Sequence, residues 1–227
     1  MTIKICISIL PKTTTEALSL IERAENCQPD FIEVRLDYLK DYIGLADIAN
    51  HGKAALIATN RSSNSQGKFL GNEAERQQTL LAAARNGFEY IDIELYTPKM
   101  NNLVHELKKA GVKRILSFHD FLGPLNLSEM HKILEEEIAR EADVCKIVTT
   151  AKTVEDNLTV LNFISEGSKK AKLVCFCMGL LGKPSRLLSP CFGAFFTIAS
   201  LKQGEETASG QMTIQEMRNA YQILGLS

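Results

Sequence analysis

The sequence predicts an α/β protein, a single (β/α)8 TIM barrel spanning residues 1–227. Three observations predict it. Eight strand-like runs alternate with helix-like stretches, about 28 residues per unit over the 227-residue chain. Within those runs the polar residues share one face and gather toward the C-terminal halves. No linker rich in Pro, Gly or Ser and no low-complexity stretch divides the chain.

The first run, 3–10, places Ile3, Ile5, Ile7 and Ile9 on a face suited to packing under helices, with Cys6 and Ser8 on the other. Thr13 with Glu16 fits a capping box that opens the first helix. In the second run, 31–37, Ile32, Val34 and Leu36 face the helices, while Glu33, Arg35 and Asp37 face the opposite way. A short helix near 41–50 leads to the third run, 54–60, and to Arg61. Gly87 fits the stop of the third helix. The fourth run, 90–95, opposes Ile91, Ile93 and Leu95 to Asp92 and Glu94. Pro98 fits the first turn of the next helix and Gly111 its stop.

The fifth run, 114–119, carries Ser117 and His119 on one face, and the sixth, 144–150, carries Lys146. One helix-like segment, 128–142, separates them, so these two strands should be parallel neighbours. Gly167 fits the stop of the helix after the sixth run. The seventh run is 172–178, followed by an irregular helix near 184–189, and the eighth is 192–198. Thr213 with Glu216 fits a capping box for the last helix, and Gly225 its stop.

Charge and composition narrow the function classes. The net charge of −1 offers no footprint for nucleic acid. No apolar run approaches the roughly 18–20 residues that span a membrane. The N-terminus enters a strand at once, so no signal peptide is expected. Six cysteines show neither CxxC nor zinc spacing, and four lie in apolar runs, so no disulfide is expected. A soluble, cytoplasmic protein is the expectation.

The face assignments bring Ser8, Glu33, Arg35, Arg61, Glu94, His119 and Lys146 to the C-terminal mouth of the barrel. A structural interior would be Val, Ile and Leu in layers, because each buried charge needs a partner. Taken alone, His119 reads as a core histidine and Lys146 as half of an ion pair with Glu94 or Glu33. Together they read as chemistry: an amine and a proton-transfer group side by side are the core of an amine-catalysed carbonyl reaction. Asp92 and Glu94 with a single histidine do not make a metal site, and neither metal nor cofactor is expected. After the seventh run, Gly179, Gly182 and Arg186 offer backbone donors and a fork for a carboxylate or phosphate. The polar stretch 203–212 after the eighth run reads as a lid.

Taken in order on these strands, the motifs resemble type I 3-dehydroquinate dehydratase over essentially the whole chain. They are Glu33-Val-Arg35-Leu-Asp37, Ala58-Thr-Asn-Arg61-Ser, Ser117-Phe-His119-Asp120, Lys146-Ile-Val, Met178-Gly-x-x-Gly182-x-x-Ser185-Arg186 and Gly210-Gln211. The resemblance implies dehydration of 3-dehydroquinate to 3-dehydroshikimate in the shikimate pathway, with no cofactor, by a homodimer. It implies that Lys146 forms an imine with the ring ketone and that His119 moves the protons. It implies that Arg186 and Gln211 hold the substrate carboxylate, and that Glu33, Arg35 and Arg61 serve the ring hydroxyls and the surroundings of Lys146. Ser8 and Met178 would line the pocket, and Thr207 would contribute from the lid. Burial and a nearby Arg35 are expected to favour the neutral amine of Lys146.

Three departures stand out. The loop after the third strand, Ser62-Ser-Asn64-Ser65-Gln66-Gly67, lacks the carboxylate that the family often places against the histidine. Gln66, or else Ser65, is therefore expected to hold His119 through a neutral hydrogen bond. Thr207 stands where serine is common, keeping the hydroxyl. Ser209 stands where proline is common, a change expected to loosen the lid. Two other readings compete: a class I aldolase-type Schiff-base barrel, which would want a second phosphate loop after the eighth strand, and a catalytically silent barrel that binds an acidic metabolite.

Overall fold

The computed structural model describes residues 3–226. Eight strands alternate with eight α-helices: β1 (Ile5–Ile9), α1 (Thr14–Glu25), β2 (Phe31–Arg35), α2 (Leu45–Ala49), β3 (Ala55–Thr59), α3 (Glu73–Arg85), β4 (Tyr90–Glu94) and α4 (Met100–Lys109) form the first half. The second half is β5 (Lys113–His119), α5 (Leu127–Ala139), β6 (Val144–Thr150), α6 (Asp156–Gly167), β7 (Leu173–Met178), α7 (Lys183–Leu188), β8 (Thr197–Ser200) and α8 (Ile214–Ile223). All strands pair in parallel, in the order β7-β6-β5-β4-β3-β2-β1-β8. The seam between β7 and β8 is bridged at its base, where the Phe195 N–H donates to Leu173 O at 2.7 Å. The result is a nearly closed (β/α)8 barrel.

Period-two alternation sorts the side chains into two cores. Ile5, Ile7, Ile9, Ile32, Val34, Ile91 and Ile93 pack outward against buried helix residues such as Ala17, Ile21 and Leu80. Inside the barrel, Cys6, Phe31, Ile57, Tyr90, Ile115, Val144, Val174 and Phe196 fill the N-terminal end. Phe31 meets Tyr90 edge-on at 5.6 Å between centroids and Phe196 at 4.9 Å, which makes an aromatic floor. The charged side chains of the barrel interior therefore sit above this floor, toward the mouth.

Local signals explain most helix ends. Asn72 with Glu75, Asn126 with Glu129 and Thr213 with Glu216 each form a reciprocal capping box. At α1 only half of the expected box forms: Thr13 accepts from the Glu16 N–H, while the Glu16 carboxylate reaches Lys12 N at 2.7 Å. Gly87, Gly111 and Gly225 follow helix ends with positive φ, as expected of stops. Gly167 does not; it is the last residue of α6, where an added Cβ would meet Leu173 and Leu134, so it serves close packing. Pro98 precedes α4 by two residues, and Lys99 at φ 55° is the cap.

The eighth strand starts later than the apolar run 192–198 implies. Residues Ser189–Phe192 form a 3-10 turn that ends on Gly193 at φ 106°, and β8 begins only at Thr197. Phe195 and Phe196 are hydrophobic because they plug the barrel base.

Candidate active site

The mouth of the barrel holds a cavity of about 330 Å³, and the buried charges of the central strands sit at or just beneath its floor. Lys146, 4% exposed, rises from β6. Its Nζ donates to Asp92 Oδ2 at 2.7 Å and lies 3.6 Å from Glu33 Oε1. Asp92 Oδ1 accepts from Arg61 Nη2 at 3.0 Å and from Ser117 Oγ at 2.7 Å. Burial alone would raise the Asp92 carboxyl, but the charges of Lys146 and Arg61 override it and hold it well below the usual range. Glu33 behaves the same way: burial opposes ionisation, Lys146 and Arg35 favour it, and its pKa falls.

Asp92 is not among the residues that sequence patterning assigns to the site. The signal is present, since Asp92 shares the inner face of β4 with Glu94. Register puts Glu94 level with Ser117 and Lys146. Barrel strands are tilted, however, and it is the carboxylate two residues lower that meets the amine. Glu94 instead pairs with Arg76 Nη1 at 2.8 Å and borders a second, adjacent cavity. Arg35 also differs from expectation. Asp37 grips it bidentately at 2.8 and 2.7 Å, which raises the guanidinium pKa against the effect of burial. The ion pairs of Lys146 are thus to two carboxylates, and the arginine beside it is neutralised by its own partner.

Nine of the ten expected site residues border the cavity: Glu33 and Arg35 from β2, Arg61, His119, Lys146, Met178, Arg186, Thr207 and Gln211. Ser8 does not. It is 1% exposed and donates to Glu33 Oε2, while Thr59 Oγ1 donates to Glu33 Oε1 at 2.8 Å. Ser8 therefore fixes a carboxylate rather than lining the pocket.

His119 ends β5 with its ring stacked on Phe121. Burial first, then the charges of Arg61 and Lys146, lower its pKa well below the ordinary value. Gln66 and Ser65 border the cavity, yet neither bonds the imidazole. The partner of Nδ1 is Arg61 Nη1 at 3.1 Å. The expected neutral side-chain bond from the loop is replaced by a charged donor, because Gln66 caps its turn in the left-handed region at φ 59° while Arg61 points inward.

Opposite these groups, α7 presents Arg186, which is 1% exposed and lies 4.1 Å over the Phe176 ring. Nη1 makes a long bond to Ile198 O at 3.5 Å; among the described residues Nε and Nη2 have no partner. Burial pulls this guanidinium down to about 9. In the lid, Gln211 Nε2 donates to Thr207 Oγ1 at 2.7 Å, and Gln211 Oε1 accepts from Thr207 N at 2.6 Å. Gly210, at φ 79°, packs so closely on the Gly179 carbonyl that no side chain would fit. Gly179 N donates to Ser209 O at 3.1 Å, so the lid rests on the loop after β7. Among the described residues no group of three or more His, Cys, Asp or Glu is placed to hold a metal, and no helix is long and apolar enough to cross a membrane.

A (β/α)8 barrel whose mouth encloses an amine, an imidazole and an unpaired guanidinium has the make-up of an enzyme. The comparisons with known proteins say which. The family model for type I 3-dehydroquinase matches residues 5–227, and the chain belongs to that family. A 3-dehydroquinate dehydratase of Dehalococcoides mccartyi is 37% identical over 96% of this chain and 94% of its own. One from Coxiella burnetii is 34% identical over 96% and 92%. The crystal structure of 3-dehydroquinate dehydratase from Geobacillus kaustophilus superposes with a TM-score of 0.91 at 26% identity, covering 99% of this chain and 92% of the other.

Proposed function

We propose that the protein is a lyase of the shikimate pathway that dehydrates 3-dehydroquinate to 3-dehydroshikimate through an imine on Lys146. The Lys146 amine attacks the ring ketone; the hydroxyl of the adduct takes up one proton relayed from water by His119 and leaves as water, so that the positive charge stays on the imine nitrogen. That imine draws electrons from the neighbouring carbon, so its C–H becomes acidic. His119 accepts this proton, the electron pair moves to nitrogen as an enamine, and the enamine then expels the ring hydroxyl, which His119 protonates. Water returns to the imine, freeing product and amine. Positioned proton transfer contributes about 10²–10⁴-fold in such reactions. Arg186 and Gln211 hold the substrate carboxylate, and Glu33, Arg35 and Arg61 take the ring hydroxyls. Thr207 closes the site from the lid, and Met178 packs beside the ring.

The observation that carries this reading is Arg186. A buried guanidinium with two nitrogens unpaired is costly by itself, and a carboxylate offsets that cost with a bidentate charge-assisted pair. It borders the same cavity as the Lys146 amine, which supports a substrate carrying both a ketone and a carboxylate. A sugar phosphate, as an aldolase would take, fits less well: the loop after β8 supplies lid residues bonded to each other. The reading includes residues 1–227 as one catalytic barrel that works as a cytoplasmic homodimer; a monomeric mass in light scattering would remove the dimer from it.

The test is turnover. Purified protein with 3-dehydroquinate should produce the rising ultraviolet absorbance of the conjugated enone. A silent barrel would bind the substrate and produce none.

A further inference from the structure

Two cavities meet at His119. Arg61, Ser65, His119 and Phe121 border both the mouth of the barrel and the neighbouring chamber that reaches Glu94 and Arg76. The imidazole stands between them, stacked on Phe121 at 5.9 Å and 15° between planes. Its Nδ1 lies 3.1 Å from Arg61 Nη1.

That contact has only one polarity. A guanidinium carries donors and no acceptor, so Arg61 donates and Nδ1 must offer its lone pair. The neutral ring then carries its proton on Nε2. Arg61 is itself anchored: Nη2 donates to Asp92 Oδ1 at 3.0 Å, and Asp92 Oδ2 accepts from Lys146 at 2.7 Å. An unbroken chain, His119–Arg61–Asp92–Lys146, links the imidazole to the amine.

We infer that Arg61 is a positioning residue that sets the tautomer of His119: it holds the substrate-free enzyme in the Nε2–H form, and its release from Nδ1 turns His119 into a base. This rests on the reading above that His119 moves protons in this cavity. An imidazole with its proton on Nε2 is a hydrogen-bond donor toward the ketone oxygen, which assists attack by the Lys146 amine. It cannot accept a proton there. The base form carries its proton on Nδ1 and its lone pair on Nε2, and an Nδ1–H facing Arg61 would set donor against donor. The contact must therefore break between the two steps. The balance is closed: Nε2 loses one proton to water, Nδ1 gains one from water, and the ring is neutral before and after. A substrate hydroxyl is a competing acceptor for Arg61 Nη1, while the Asp92 bond serves as the pivot. Recognition of a hydroxylated ring and readiness for proton abstraction become one event.

The groups that face His119 are Arg61 from the loop after β3, Lys146 from β6, Asp92 from β4, and Glu33 and Arg35 from β2. Arg186 lies across the cavity, with Glu94 and Arg76 in the second chamber. Burial and the adjacent cations keep the ring in its neutral form near pH 7, where the tautomer is defined.

The experiment is long-range nitrogen-15 correlation spectroscopy of the histidine rings near pH 7.5, with the His119 signals assigned by their absence in His119→Ala. The free enzyme should show Nδ1 as the unprotonated nitrogen and Nε2 as the protonated one. Arg61→Met should lose that pattern and raise the His119 pKa, since a neighbouring cation is removed. Arg61→Lys, which still donates, should restore the tautomer in part. An Nδ1–H form in the free wild-type enzyme overturns the inference, and so does an Arg61→Met protein with unchanged tautomer and pKa. If Arg61→Met does not fold, the wild-type tautomer decides alone. Borohydride trapping with 3-dehydroquinate separates this from the parent reading: an adduct on Lys146 with the wrong tautomer sinks only the role of Arg61, and the right tautomer without an adduct sinks only the imine.

Discussion

Replacing Arg186 by methionine should move activity and stability in opposite directions. The guanidinium is 1% exposed, stacked on Phe176, and unpaired at Nε and Nη2. Burial pulls it down to about 9, which corresponds to on the order of 5 kcal/mol of unfavourable burial at 1.36 kcal/mol per unit. The group is charged in both folded and unfolded chains at neutral pH, so that cost opposes folding throughout the neutral range. Arg186→Met would remove the charge while keeping apolar contact with Phe176. Part of the gain is lost with the cation–π contact and with imperfect packing, leaving a stabilisation of about 1–3 kcal/mol. For a chain of this length that raises Tm by roughly 2–12 °C. Turnover should fall instead. Truncating one side of a buried charge pair costs about 2–5 kcal/mol, so kcat/KM should drop roughly 30- to 5,000-fold. The assay is a thermal melt beside enone formation on the same preparations. A variant that is less stable than wild type and equally active would refute the argument, because Arg186 would then be a structural residue with no substrate to hold.

Three further outcomes follow from the same geometry. His119→Ala should lose turnover by about 10²–10⁴-fold or more, yet still give a covalent adduct on Lys146 by mass; near-wild-type turnover rules out its role. Lys146→Met leaves Asp92 and Glu33 buried beside one cation fewer, and should cost about 3–5 kcal/mol at pH 7. Because the folded pKa of Asp92 is depressed, its contribution is present above the ordinary carboxylate range and lost as pH falls through its low folded value. Acid unfolding of Lys146→Met should therefore begin at higher pH than in wild type, and identical acid transitions contradict this. Glu137, on α5 beside Cys145, is fully buried with both oxygens unpartnered among the described residues, and burial raises its pKa well above the usual value. Folded neutral and unfolded ionised, it costs stability increasingly as pH rises through and beyond the ordinary carboxylate range. Glu137→Gln should raise Tm at pH 8 and leave it unchanged at pH 4; the reverse dependence defeats the assignment.

The strand faces are legible in the sequence because one physical rule governs them. Ile5, Ile7 and Ile9 alternate with Cys6 and Ser8, and alternation alone places Glu33, Arg35, His119 and Lys146 inside. Arg186 is legible as a fork in a glycine-containing loop. What alternation does not carry is which inward side chain meets which. Asp92 rather than Glu94 meets Lys146 because strand tilt shifts the layers. Asp37 neutralises Arg35 only because a 3-10 turn at Leu36–Tyr38 folds it back against the strand end. Arg61 rather than Gln66 reaches His119 because Gln66 closes its own turn. Ser8 has the right parity, but its hydroxyl is taken up by Glu33, its register partner on β2, and does not reach the cavity. The start of the eighth strand is misread because phenylalanines that plug a barrel base have the same composition as a strand. Cross-barrel pairing is set by rotamer and layer, and neither is written in a periodicity.

Borohydride reduction of the protein during turnover of 3-dehydroquinate, followed by digestion and mass mapping, bears most directly on whether the buried amine is where the chemistry occurs. One stoichiometric adduct is expected, located on Lys146, with loss of activity in step with its formation and no adduct in Lys146→Met. An adduct on any other lysine, or continued turnover with no adduct at all, would contradict that role for Lys146.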